Sequence, residues 1–224
     1  MGVCKPTIKF LMTNTIVPAD TAALLAEISS SSSPTVDIMI GVGLVKDSEA
    51  VFFQYVGDDQ TTALLQASGK PITRIANVYL TGLSVVDDVY AEAGFSGSKL
   101  NVFLETQQGR SVMLTSGLTT IWSQCLLTGL QGLADEDALS HLIAIDTWKG
   151  NSKMKPCFAA VRDGQRKMTS NVMYQALADS RADRDRAKTE ALLRDAVELI
   201  NAAVTGGEVQ DVQVTDLDNA VAEF

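Results

Sequence analysis

Apolar and polar residues alternate with a period of two over 100–106. Leu100, Val102 and Leu104 share one phase, and Asn101, Phe103 and Glu105 share the other, the pattern of a half-buried strand. Ile75 to Tyr90 is a longer apolar stretch with Gly82 near its middle, which predicts one long strand that bends at the glycine. Gln107-Gln108-Gly109 reads as a tight turn into a third strand over Ser111–Thr115. From Thr119 to Leu133 the period changes. Ile121, Trp122, Leu126, Leu127 and Leu130 fall on one helical stripe. Leu142–Trp148 and Cys157–Arg162 are two more strands, joined by a loop with lysines at 149, 153 and 155.

Flanking segments are read in the same way. Pro18 opens a short helix that runs to about Ile28, and the serines from 29 to 33 followed by Pro34 break it. Val36–Val45 and Ala50–Val56 are apolar runs around a polar turn and predict a hairpin. Gln60–Ala67 reads as a short helix. Thr169–Val204 reads as mostly helical, with Leu193, Val197, Ile200 and Val204 on one stripe. These elements divide the chain into an N-terminal extension (1–70), a barrel domain (71–168), a C-terminal helix (169–205) and an acidic tail (206–224).

The order strand–strand–strand–helix–strand–strand over residues 75–164 is that of an OB fold. The expected class is therefore α+β: an OB-like five-stranded barrel with an N-terminal hairpin and helix extension and a long C-terminal helix.

Charge sharpens this picture. The 224 residues carry a formal net charge of −9, but unevenly. Residues 148–194 hold 11 of the 18 basic side chains and only 5 of the 27 acidic ones, whereas residues 195–224 hold 7 acidic and no basic ones. A bound anion feels the local field within a Debye length of about 8 Å rather than the total charge. Strand phase then nominates an aromatic surface. Tyr79, Phe103, Trp148 and Phe158 all fall in the polar phase of their strands, so four strands each offer a ring for stacking bases. Lys149, Lys153, Lys155 and Arg162 lie nearby in sequence to neutralise phosphates.

The tail carries a resemblance. Asp211, Asp216, Asp218 and Glu223 precede a terminal Phe224. With the barrel-like element order, this resembles the bacterial and phage single-stranded-DNA-binding proteins. In that family an OB fold holds the strand and an acidic tail ending in Phe docks on replication and repair proteins. The resemblance implies partner docking by Asp216, Asp218, Glu223 and Phe224, and a homo-oligomer acting in replication, recombination or repair. Valines and a leucine interleave the acids here, and the family's tetrameric members lack the long C-terminal helix, so this would be a divergent or phage-like member.

Other classes receive less support. There is no P-loop. The three cysteines are widely spaced without a C-x-x-C pair, and there is one histidine, so neither a disulfide framework nor a zinc site is expected. Asp87-Asp88 and Asp135-Glu136-Asp137 could hold Mg²⁺, but adjacent acids on a strand point to opposite faces. No enzyme activity and no cofactor are expected. No apolar run is long enough to span a bilayer and the N-terminal apolar piece is too short for a signal peptide, which predicts a cytoplasmic protein with no membrane partner. The rival reading is a self-assembling virion or filament subunit. An adaptor whose barrel binds a peptide is a third.

Overall fold

The alternation at Leu100, Val102 and Leu104 persists in three dimensions: all three are essentially fully buried on one face of a sheet. The computed structural model describes residues 36–45, 48–55, 61–87 and 97–206. Its strands are β1 (Ile38–Val42), β2 (Phe52–Tyr55), β3 (Thr61–Ala63), β4 (Arg74–Val86), β5 (Lys99–Thr106), β6 (Ser111–Gly117), β7 (Ile143–Lys149), β8 (Cys157–Asp163) and β9 (Arg166–Lys167). Its helices are α1 (Ile121–Asp135), α2 (Asn171–Ala182) and α3 (Arg186–Val204).

All nine strands belong to one mixed sheet in the order β3-β2-β1-β6-β5-β4-β7-β8-β9. This corrects the expected five-stranded OB-like barrel. The five strands and the helix anticipated between residues 75 and 164 are present, but closing them into a barrel would require β6 to pair with β8. Instead β1 pairs in parallel with β6, from Ile38 opposite Val112 to Gly41 opposite Thr115, and β8 pairs onward with β9. The predicted hairpin of β1 and β2 forms, yet it is integral to the sheet rather than an extension of a barrel. Strands on both sides of residue 70 share that sheet.

Two helix expectations are also corrected. Residues 61–63 form an edge strand, because pairing with β2 outweighs a weak local helix preference. The long C-terminal helix is two helices. Arg184 takes a positive φ of 55°, and the Asp185 carboxylate caps α3 by accepting from the Lys188 N–H at 2.9 Å. The predicted helix over 18–28, most of the Gly94–Ser98 turn and the acidic tail lie outside the described residues.

The sheet is covered on one face only among the described residues. Trp122, Leu126, Leu127, Leu130 and Leu133 of α1 join Leu193 and Ile200 of α3 against Val78, Leu80, Leu104, Leu114, Ile145 and Val161 in one core. Hydrogen bonds on either side of residue 70 bring two parts of the sheet together. The Ile72 N–H donates to Leu64 O at 3.1 Å and the Thr147 N–H to Thr73 O at 2.7 Å, so the β3 edge returns towards the start of β4.

Two devices seat the helices. β7 covers its edge of β4 only as far as Val78. Further along, the Asn201 amide of α3 replaces a strand: it accepts from the Leu83 N–H at 2.8 Å and donates to Leu83 O at 2.9 Å. Where α1 crosses the chain at residue 169, Gly132 permits the approach. A Cβ there would lie 2.6 Å from the Thr169 backbone, which a flexible side chain could not relieve.

Gly132→Ala should therefore destabilise the fold by about 1–3 kcal/mol through overpacking, measured by urea unfolding. A loss within about 0.5 kcal/mol, as at ordinary surface sites, would show that the contact relaxes freely.

A second expectation concerns acid. Arg194 Nη2 binds Asp87 Oδ1 at 2.5 Å, Ser98 Oγ at 2.8 Å and Glu190 Oε1 at 2.8 Å. It thereby ties the end of β4 and the approach to β5 to α3. Hydrogen bonding from Arg194 holds both the Asp87 and Glu190 carboxyls below their ordinary values. Depressed carboxyl values stabilise the fold above the unfolded values, about 3.9 and 4.3, and that contribution disappears as pH falls through the lower folded values. The stability deficit of Arg194→Met relative to the parent should shrink as pH is lowered from about 5 toward 2. Unfolding curves across that range check this, and a constant deficit would refute it.

Candidate nucleic-acid interface

Strand phase and register place the aromatics. On β5, Val102 and Leu104 point into the core, so Phe103 between them points to the helix-free face. Tyr79 lies opposite Glu105 on that face and is 38% exposed. On β7 and β8, Ile145 and Val161 pair in the core phase while Trp148 pairs with Phe158 in the other. Tyr79, Phe103, Trp148 and Phe158 thus share the face that no described helix covers.

The four do not form one cluster. Trp148 and Phe158 stack, with ring centroids 5.8 Å apart and planes inclined by 17°. Trp148 keeps 43% of its surface exposed. Gly150 makes room for the pair, since a Cβ there would lie 2.8 Å from Phe158 Cε2. Tyr79 and Phe103 lie farther along the strands, about 20 Å away at ~3.3 Å per residue.

A charged bridge occupies the space between the two groups. Asp146 lies opposite Arg74 on β4 and two residues along from Trp148. Its carboxylate accepts from Arg162 Nε at 2.5 Å and pairs with Arg74 Nη1 at 3.3 Å. Arg162 also donates to Gln165 O at 3.0 Å, and Lys167 pairs across β9 with Arg162. One carboxylate facing two guanidiniums and an ammonium leaves this strip net positive.

The three loop lysines converge at the end of β7. With Ser48, Glu49, Leu44 and Met154 among their neighbours, they line an open cavity of about 590 Å³ between the β1–β2 and β7–β8 connections. Lys149 Nζ donates to Ser48 O at 2.6 Å. Lys155 Nζ donates to Glu49 Oε1 at 2.8 Å, and that bond holds the Glu49 carboxyl below its ordinary value. Lys153 reaches into solvent. Beside Lys149, burial pushes the Cys157 thiol up, which disfavours the nucleophilic thiolate.

Sequence reading missed part of the interface. Arg74, which with Lys167 flanks Arg162, does not stand out in a linear charge count. Phe53 and Tyr55 share the helix-free face with Gly41 and Met39 across β1. Their signal was the phase within Phe52-Phe53-Gln54-Tyr55, where Phe52 alone is fully buried. Arg110 is buried at the β5–β6 turn. No group of three or more ligating side chains that could hold a metal ion occurs among the described residues, and Asp88 lies outside them. The tail residues Asp216, Asp218, Glu223 and Phe224 lie outside them.

No family model, curated protein or solved structure matches this chain. The case for function therefore rests on the interface itself. Among the described residues, no helix is long and apolar enough to cross a membrane.

The ring pair has its own optical test. Trp148 is the exposed tryptophan and Trp122 the buried one. Gly150→Ala should push Phe158 off Trp148, shift the emission to the red and raise its quenching by acrylamide. Emission and quenching identical to the parent would mean that the stack does not depend on this glycine.

Proposed function

We propose that the chain is a non-catalytic, sequence-tolerant binder of single-stranded DNA that uses the helix-free face of its sheet. The observation carrying this reading is the Trp148–Phe158 stack, half open to solvent and set beside the Arg74–Asp146–Arg162 bridge and the lysine-lined loop. Stacking on an aromatic contributes about 1–3 kcal/mol per base and is indifferent to base identity. Guanidinium planes add cation–π and phosphate contacts. The net charge of −9 is no obstacle, because Arg74, Lys149, Lys153, Lys155, Arg162 and Lys167 gather at this interface and screening confines the field to about 8 Å. The acidic tail, with Asp216, Asp218, Glu223 and Phe224, fits a docking segment for replication or recombination proteins, and a cytoplasmic homo-oligomer accords with that role.

Fluorescence anisotropy of labelled oligo-dT tests the proposal. Binding should be micromolar or tighter at low salt. If about four phosphates are neutralised, log K should fall against log salt with a slope of about −3. Trp148→Ala should weaken binding about tenfold or more, the loss of one stacked base, while Tyr174→Ala, at an exposed ring on α2, should leave it unchanged. No binding by the intact chain at low salt would overturn the proposal.

A further inference from the structure

The helix-free face continues across β6, β1 and β2, where it carries a second aromatic cluster. Phe53 lies opposite Gly41, and a Cβ on Gly41 would stand 2.2 Å from the Phe53 ring, so the ring rests directly on the β1 backbone. Tyr55 meets it edge-on, with centroids 5.4 Å apart and planes at 78°. The parallel pairing of β1 with β6 sets Met39 opposite Met113, and Met113 lies opposite Phe103. The result is a row of apolar side chains running across the strands. Met39 and Tyr55 are each 44% exposed.

We infer that Phe53 and Tyr55, with Met39 and Met113 beside them, form a second stacking platform for the same single strand. This rests on the single-stranded-DNA reading above. Phe103 and Tyr79 link the new platform to the Trp148–Phe158 pair, and Arg74 and Arg162 lie between. Lys99, at the start of β5, is in phase with Asn101 and Phe103 on this face. Glu105 and Asp37 flank the row from the opposite direction, so the favoured course for phosphates passes on the Lys99 side. Methionines add polarizable, adaptable surface against rings. Across the hydrogen-bonded run from Thr147 to Thr73, Ile72 to Leu64 and Leu64 to Phe52, the platforms lie about three strand spacings of ~4.8 Å, or roughly 15 Å, apart. One strand therefore engages both only when it is long enough.

A second copy of this chain fits the row less well. A half-exposed ring offers about 100 Å², and these few side chains fall well short of the ~800 Å² that each partner of a stable interface buries.

The test is length-dependent binding. Anisotropy is measured with oligo-dT of about 4 and about 16 nucleotides, the range of known single-strand sites, on the full chain and on Tyr55→Thr and Trp148→Ala. Threonine at 55 keeps the strand preference of β2, and circular dichroism confirms folding. The long oligomer should bind the parent at least tenfold more tightly than the short one. Tyr55→Thr should remove most of that gain, and bromouridine crosslinking of the long oligomer should label the peptide holding Phe53 and Tyr55. Binding that stays sensitive to Trp148→Ala, with no effect of Tyr55→Thr at either length and no crosslink on β2, overturns the second platform and leaves the single-stranded-DNA reading standing. Absence of binding by the parent at either length overturns both. Dimerisation of the parent that Tyr55→Thr abolishes, without any effect on DNA affinity, assigns the row to self-association and overturns the inference.

Discussion

The parallel pairing of β1 with β6 is the constraint on which the rest depends. It occupies the edge that β8 would need to close a small barrel, and so leaves a single mixed sheet. An open sheet of this kind needs a cover on at least one face. α1 and α3 supply it, with Trp122 and six leucines and isoleucines of the two helices packed against the sheet. The opposite face is left without a helical partner among the described residues. The same pairing brings Met39 to Met113 and extends the exposed aromatic phase from β5 to β2. Fold and candidate interface thus follow from one register.

That face is unusual in composition. Half-buried sheets ordinarily alternate apolar-in with polar-out, and the outward phase here instead contains Phe53, Tyr55, Tyr79, Phe103, Trp148 and Phe158. Single exposed apolar side chains are common on any surface. Six rings share one face, with the paired guanidiniums of Arg74 and Arg162 among them, which is what the proposed stacking surface would require.

What was legible in the sequence followed the range of the interaction. Leu100, Val102 and Leu104 reveal their phase locally, so the facing of Phe103 could be read before any fold was known. Phe158 and Trp148 were assigned in the same way. Strand order could not be read, because an element order of three strands, a helix and two strands is compatible with more than one set of edges. Which edge β6 uses depends on Ile38–Gly41, some seventy residues away in sequence. The break between α2 and α3 was readable in principle from Asp185 as a cap, but charged residues on every side masked it. Thr61–Ala63 failed for a related reason, since only pairing with Phe53–Tyr55 makes it a strand. Arg74 went unnoticed because its worth comes from lying opposite Asp146.

Asp146 is the residue that most tests the phosphate-binding interpretation, because a carboxylate in the middle of a site for polyanions repels its ligand. Its geometry argues for a positioning role. It accepts from Arg162 and pairs with Arg74, and both arginines lie beside a stack that a base would extend. A free arginine loses rotamer entropy on binding, roughly 0.5–1.5 kcal/mol per immobilised side chain. Two arginines already held by one carboxylate lose less, and each guanidinium has five donors, of which the pairing occupies only a fraction. The strip keeps a positive balance, with two guanidiniums and the Lys167 ammonium against one carboxylate. On the proposed reading, Asp146 gives up some long-range attraction in exchange for fixed guanidinium planes.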